Sequence, residues 1–435
     1  MSSSLPVSTA QDSAVGGPGE VAPLSVAPLS VTVPHAAVEI RAFDADVGAT
    51  LGDDVTVWKD MAHRWGTTFQ QLPEYARLHL QRPEIPRDLP GFWMSQGDAQ
   101  GVLLPKRLPV GRTISAVAGG MSGYWLAGNG VFGAGAEGAL GNLVSTAASI
   151  VQREHAAFLL LEDVDIDSPL DMVARGLAQE GWTLFTPTGW QPRWRIHLPA
   201  TADEYWSKFN SKRRGNLRRQ QRKLGGEVRR FTEPDSVDEF LSLAHTVSLR
   251  TWQTRTMGLR VGNSEFERAA YRLATDEGRF LSYVLVKDGQ PISFAIGTTA
   301  GSRYLLEEIG YDPAFADWSP GMTLLCHMLD DFYLDRPPAL FDFGGGDASY
   351  KRTLANAESQ SATLWLIAPG WRRQGAMQLF KWLRSATKAS HRLIGDGGLR
   401  ARLRRMFRGA AGPVSGDTRS VSQGDRTSGN DGGAE

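Results

Sequence analysis

Cys326 is the single cysteine in 435 residues, and formal charges cancel to a net of zero. One thiol excludes an intrachain disulfide and a cysteine-built metal centre, and no metal is expected. With Leu324, Leu325, Met328 and Leu329 around it, Cys326 is expected in the core rather than as a nucleophile. Zero net charge removes any global attraction to polyanions, so no nucleic-acid partner is expected. No run of about 18 apolar residues occurs, so no membrane-spanning helix is predicted. The N-terminus lacks a basic region followed by an apolar core, which makes a cytoplasmic location the default expectation.

What is present implies about two domains with tails. Residues 1–36 are rich in Ser, Pro, Ala and Gly and carry a tandem VAPLS from Val21 to Ser30, which predicts a disordered leader. Residues 410–435, rich in Gly, Ser and Asp, predict a disordered tail. Between them, helix, hairpin, loop, helix and strand follow one another twice, at a period of roughly 185 residues. In the first half these are Trp58 to Gln81 (with Pro73 starting a second helix or a turn), Phe92–Ser95 with Val102–Leu108, a Gly-rich loop, Glu137–Arg153 and Phe158–Leu161. In the second they are Val237–Trp252 with Glu265–Asp276, Phe280–Val286 with Ile292–Thr298, Tyr304–Ile309, Gly321–Tyr333 and Leu340–Phe343. Two related α/β domains are expected in preference to one large sheet, with boundaries at 37–195 and 196–370. A basic helical extension is expected at 371–409. Its interleaved Arg400, Leu403, Arg404, Met406 and Phe407 suit a peripheral membrane contact or a solvated helix.

Three stretches carry chemistry. Tyr205 to Arg230 holds ten Lys and Arg residues against Glu227 alone, with Trp206, Phe209, Leu217 and Leu224 at near-helical spacing. It is either a solvated helix or a wall for phosphates, with Asn216 adding directional bonding to the charge of Arg214 and Arg219. Ser319-Pro320-Gly321 opens a helix with a cap, a first-turn proline and an unobstructed glycine, a start that suits an anion. Leu340 to Arg352, LFDFGGGDASYKR, ends a strand in three glycines, then sets Asp347, Tyr350 and Lys351 within five positions. The first half ends its last strand in Glu162-Asp163 and has no Tyr-Lys pair.

In order and spacing, Arg214-x-Asn216-x-x-Arg219, Asp288-Gly289-x-Pro291-Ile292, Tyr311-Asp312-Pro313, Ser319-Pro320-Gly321 and Phe341-Asp342-Phe343-x-x-Gly346-Asp347-x-x-Tyr350-Lys351 resemble one family. That family is the BioF2-like acetyltransferase domain of the GNAT superfamily, also seen in CelD-like proteins. The resemblance covers about residues 195–370 and extends more loosely, over the first half, to the double-GNAT FemAB-type peptidyltransferases. It implies tandem GNAT-like domains of the α/β class, each a mixed, largely antiparallel sheet flanked by helices, the first degenerate. It implies an N-acyltransferase moving an acyl group from acetyl-CoA or another acyl-CoA to an amine of a small molecule, an amino sugar or a cell-envelope polysaccharide precursor. The FemAB-type relatives imply aminoacyl-tRNA as an alternative donor, and a non-catalytic scaffold in polysaccharide assembly is the competing class.

The resemblance places the cofactor pyrophosphate at Ser319, Pro320, Gly321, Met322 and Thr323, although this stretch departs from the superfamily's Q/R-x-x-G-x-G/A. Tyr350 is implied as proton donor to the leaving thiolate and Lys351 as the group stabilising an oxyanion or holding a substrate anion. Glu307 and Glu308 are candidate bases. Alternation along the strand turns only one toward the site, and Glu308 is preferred because it would share a face with Tyr304 and Leu306. Asp342 and Asp347 are expected to orient the acceptor or to pair with Lys351, Asp342 alternatively serving a structural ion pair. Arg214, Asn216 and Arg219 are expected to bind substrate.

Overall fold

The chain's apolar and alternating runs become strands of one mixed, mostly antiparallel sheet, seen in a computed structural model that describes residues 37–107, 121–128, 130–251, 254, 261–370, 373–375 and 377–378. The expected leader, the tail and most of the basic extension lie outside the described residues. In chain order the strands begin with β1 (Glu39–Phe43), β2 (Gly91–Gln96), β3 (Ala99–Arg107), β4 (Ser122–Leu126), β5 (Phe158–Asp165) and β6 (Thr183–Phe185). They continue with β7 (Gln191–His197), β8 (Glu227–Phe231), β9 (Ser282–Lys287), β10 (Gln290–Ala300), β11 (Arg303–Tyr311), β12 (Leu340–Gly345) and β13 (Ala357–Ile367). The first-half helices are α1 (Val47–Leu51), α2 (Asp54–Arg64), α3 (Pro73–Gln81), α4 (Ala136–Arg153) and α5 (Pro169–Gln179). After them come α6 (Ala202–Ser207), α7 (Ser211–Leu224), α8 (Val237–Ser248), α9 (Glu265–Asp276), α10 (Pro320–Phe332) and α11 (Ser349–Leu354).

Local chemistry explains most boundaries. Pro73 occupies the first position of α3, where its missing N–H costs nothing, and so separates α2 from α3. Ser264 and Glu267 form a reciprocal capping box that starts α9. The FLLL run of β5 is buried throughout, as expected of a strand covered on both faces.

The strand order is β1-β2-β3-β4-β5-β13-β7-β12-β11-β10-β9-β8, with β6 on β13. Read from either edge it repeats. Each half contributes a meander, a helical crossover and one parallel pair, β4 with β5 and β11 with β12. Two domains with separate sheets were expected; instead the halves exchange strands. β7 follows the first half but pairs with β12, Phe341 opposite Ile196. β13 follows the second half but pairs with β5, Trp365 opposite Leu160. The two exchanged strands pair with each other from Ala357–Arg195 to Ser361–Gln191. The expected boundary between residues 195 and 196 therefore falls inside β7.

Three apolar clusters cover the sheet. One joins the layers of α2 and α3 to those of α8 and α9 on a single face, through Phe69, Tyr75 and Tyr271. The opposite face carries one cluster under α4 and α5 and another under α7 and α10.

Candidate active site

The parallel pairing of β11 with β12 stops after Leu305–Asp342, although β11 runs on to Tyr311. A gap therefore opens inside the sheet, with β11 on one side and the glycine turn after β12 on the other. Gly344 marks its mouth. Its backbone is left-handed (φ +67°), and an added Cβ would stand 3.8 Å from the Leu306 carbonyl oxygen.

Just past Leu306, β11 bulges. Ile296 pairs with Glu308 and Gly297 with Leu306, so Glu307 is the extra residue. The bulge changes which side chains share a face. Tyr304 and Leu306 pack under α10, and Ile309 and Tyr311 lie within reach of Gly321 at the start of that helix. Glu307 and Glu308 turn together to the α9 face. This corrects the sequence expectation that Glu308 shares a face with Tyr304 and that only one glutamate points to the site. Simple alternation does not survive an inserted residue.

Glu307 accepts hydrogen bonds from Thr298 Oγ1 at 2.8 Å and from the Tyr271 hydroxyl at 3.1 Å. Glu308 is open to water yet ringed by protein. That surrounding protein, then the charges of Glu307 and Glu267, push its carboxyl up to about 7.

On the other face, α10 begins at the gap. Ser319 is left-handed (φ 49°, ψ 57°) and its side chain does not cap the helix. Pro320 carries no N–H, and the first intrahelical bond runs from Thr323 N to Ser319 O at 3.0 Å. The Gly321 and Met322 amides precede that bond and face outward along the helix axis. The Thr323 hydroxyl is buried and has no hydrogen-bond partner. Stretch 319–323 thus holds donors aimed along a positive helix end, a suitable cradle for a phosphate.

The glycine turn is held by charge. Asp342, fully buried, accepts from Arg193 Nε at 3.0 Å and Nη2 at 2.8 Å, and from Gly344 N at 2.9 Å. Arg193 also donates to the Asp163 carbonyl at 3.0 Å. Lys351, 8% exposed, donates to the Gly345 carbonyl at 2.9 Å and the Gly344 carbonyl at 3.4 Å. Burial pushes its ammonium down to about 8. Asp347 accepts from Trp194 Nε1 at 3.3 Å and lies 3.4 Å from Arg352 Nε. Tyr350 stacks edgewise on Phe343, and burial raises its phenol well above the usual range, so it stays protonated. Tyr350, Lys351, Asp342 and Asp347 thus gather at the turn, but Asp342 and Lys351 are engaged with protein.

The expected anion wall sits elsewhere. α7 lies along α10, and Arg214 lines a groove with Trp206, Leu217, Cys326 and Asp330, at the C-terminal part of α10. Its guanidinium donates to the Phe209 carbonyl at 2.6 Å, while Arg219 donates to Asn216 Oδ1 at 3.1 Å. The other end of α7 is the one at the gap. Lys287 donates to the Leu224 carbonyl at 2.8 Å and stands 5.6 Å from the Trp318 ring, beside Ser319. Arg222 and Lys223 belong to this last turn, whereas Arg214 lies toward the other end of α7. Sequence reasoning missed Arg193 and the Thr298–Tyr271 clamp. An RWR alternation in β7 was the available signal for the first, and nothing local signalled the second.

Among the described residues, the first half shows no equivalent gap. Beyond its parallel pair Trp125–Leu160 stand Ala127 and Gly128, and an added Cβ at Gly128 would collide with Thr68 Oγ1 and come 2.6 Å from Gln71. Among the described residues, no group of three or more His, Cys, Asp or Glu could hold a metal ion, and no helix is long and apolar enough to cross a membrane.

Residues 211–352 match a family model described as an acetyltransferase (GNAT) domain. No curated protein matches the chain. Among solved structures the chain is similar to FemX, with a TM-score of 0.52 at 14% identity over 75% of this chain and 98% of that one. It is also similar to L-PGS from Bacillus licheniformis, with a TM-score of 0.47 at 12% identity over 78% of this chain and 97% of that one. At such identities the FemX likeness speaks for fold. A GNAT-superfamily domain thus occupies residues 211–352, within a tandem GNAT-like fold.

Proposed function

We propose that this chain is an N-acyltransferase whose second half moves an acyl group from a phosphate-bearing carrier to an amine. The observation that carries the reading is the gap between β11 and β12, with a phosphate cradle at 319–323 on one face and Glu308 on the other. Attack requires a neutral amine, and the new C–N bond forms as the bond from acyl carbon to carrier breaks. Glu308, with its carboxyl near 7, accepts the amine proton at neutral pH. Tyr350 stays protonated beside the turn, which supports its assignment as the proton donor to the departing carrier.

Acyl-CoA, simplest as acetyl-CoA, fits the cradle. Gly321 and Met322 amides and the Thr323 hydroxyl would hold its pyrophosphate, and the carrier supplies the activated acyl carbon. An amino sugar, an amino acid or a cell-envelope polysaccharide precursor is the acceptor class, and the cytoplasm the expected setting. A second reading, an aminoacyl group carried by tRNA, is favoured by α7. Lys212, Arg213, Arg214, Arg218, Arg219, Arg222 and Lys223 form no ion pair among the described residues, whereas Arg229, Arg230 and Arg250 nearby all do. Seven cations without an ion pair along one helix exceed what one CoA needs.

The test is a melting-temperature and mass-shift assay with millimolar acetyl-CoA and a panel of amino sugars and amino acids. A ligand that binds the folded state at 100 times its Kd adds about 2.7 kcal/mol of stability. The expected result is a raised Tm and turnover that Glu308→Gln abolishes. A response to aminoacyl-tRNA alone selects the second reading. No response to either donor, in a folded protein, leaves the scaffold class.

A further inference from the structure

The first half supplies a side chain on which the geometry of the second half's gap depends. Arg193 belongs to β7, the strand handed across the sheet, and is 1% exposed. Its guanidinium spans the seam: Nη1 donates to the Asp163 carbonyl of β5 at 3.0 Å, and Nε and Nη2 grip Asp342 of β12. Asp163 holds a left-handed backbone (φ 53°), a region that aspartate enters more readily than most non-glycine residues. Asp342 in turn uses Oδ1 to accept the Gly344 amide at 2.9 Å. Gly344 is the residue that faces the Leu306 carbonyl at the mouth of the gap.

Neighbouring groups complete a neutral set. Arg195 donates to Asp165 at 2.5 Å and to Ser359 at 2.9 Å, and lies 3.4 Å from Asp342. With Lys351 on the Gly344 and Gly345 carbonyls, and Arg303 and Asp347 adding their charges to Asp342 and Lys351, four cations face Asp163, Asp165, Asp342 and Asp347. A buried pair of this kind adds little net stability over an apolar replacement, but its directional bonds specify one arrangement.

The geometry points to Arg193 as a positioning residue: through Asp342 it sets the Gly344–Gly346 turn, so the gap is formed only when the first half is in place. This rests on the acyl-transfer reading for its purpose, not for its test. Hydrogen–deuterium exchange on the full chain is compared for wild type, Arg193→Gln and Arg193→Lys, reading the peptide over residues 344–351 against β2–β4 and α8. Arg193→Gln is expected to speed exchange at 344–351 about tenfold or more while β2–β4 and α8 keep wild-type rates. Arg193→Lys, which keeps the charge and one bond to Asp342, is expected to recover part of the loss and carries the measurement if the glutamine variant does not fold. Wild-type rates at 344–351 in the folded variants, or equal acceleration everywhere, would overturn the assignment. No ligand enters this comparison, so failure of the acyl-transfer reading shows separately, as a wild-type protein that responds to no donor.

Discussion

Asp342 lies in the stretch expected to carry chemistry, yet its bonds are structural. Burial alone would raise its carboxyl, but the charges and bonds of Arg193, then Arg195, outweigh that and hold it down at about 2. The folded value lies below the ordinary 3.8, so its stabilising contribution is present above about 3.8 and lost as pH falls through 2. Asp342→Asn leaves Arg193 buried without its counter-charge, which costs about 3–5 kcal/mol. Urea unfolding at pH 7 should show that loss, and the variant's stability should change less than wild type's between pH 4 and pH 2. Lys351 is similarly committed to two backbone carbonyls, so its replacement acts first on the turn.

At the scale of elements, one inserted residue in β11 decides the arrangement. Without Glu307 as a bulge, Glu308 would point under α10 into the apolar cluster of Tyr304, Leu306 and Phe341, where a carboxylate has no solvation. With it, the cradle and the carboxyl lie on opposite faces of a sheet that is open between them. Gly297 makes the neighbouring space, since any Cβ there would collide with the Tyr304 hydroxyl on its way to the Leu281 carbonyl, 3.0 Å off. The start of α10 makes a sharp prediction. Thr323 carries a buried hydroxyl without a partner, so Thr323→Val should stabilise the free protein by about 1 kcal/mol. The same change should shrink the Tm rise produced by a phosphate-bearing donor. Calorimetry with and without donor separates the two effects, and an unchanged rise would remove Thr323 from the cradle.

For the whole molecule, strand exchange makes the halves interdependent. A fragment of residues 196–370 cuts β7 in two, exposing the edge of β12, and lacks the β5 that β13 pairs with. Unsatisfied edges of this length favour aggregation over folding. The fragment is expected to be insoluble or to unfold without a cooperative transition by circular dichroism, whereas residues 37–370 should unfold in one. Further welds act at the seam: Arg279 of the second half donates to the Thr67 hydroxyl at 3.1 Å and the Ala62 carbonyl at 3.3 Å.

Much was legible along the chain. Pro73, Ser264 with Glu267, and Ser319-Pro320-Gly321 mark helix starts through interactions within one turn, and the structure places helices there. The glycines after Phe343 and the ordered motifs from Arg214 to Lys351 located the GNAT domain, which the family model spans at 211–352. β1, β4, β6, β7, β8 and β13 were not anticipated, because Ser122–Leu126 hides in a Gly-rich stretch, β7 alternates charge with aromatics and β8 lies in the stretch read as a basic helix or wall. Period-two and period-four patterns determine which residues can form a strand or helix. They do not determine which strand lies alongside, where a bulge reverses the faces, or which charges meet. Arg193 and Asp342 are 149 positions apart, and their pairing exists only because β7 crosses the sheet to lie beside β12. The sequence by itself determined most of the helices and central strands, and a stretch that matches a GNAT domain model. Tertiary structure decided the gap, the facing of Glu308 and the buried charge that holds the turn, since each depends on contacts between segments that no local period links.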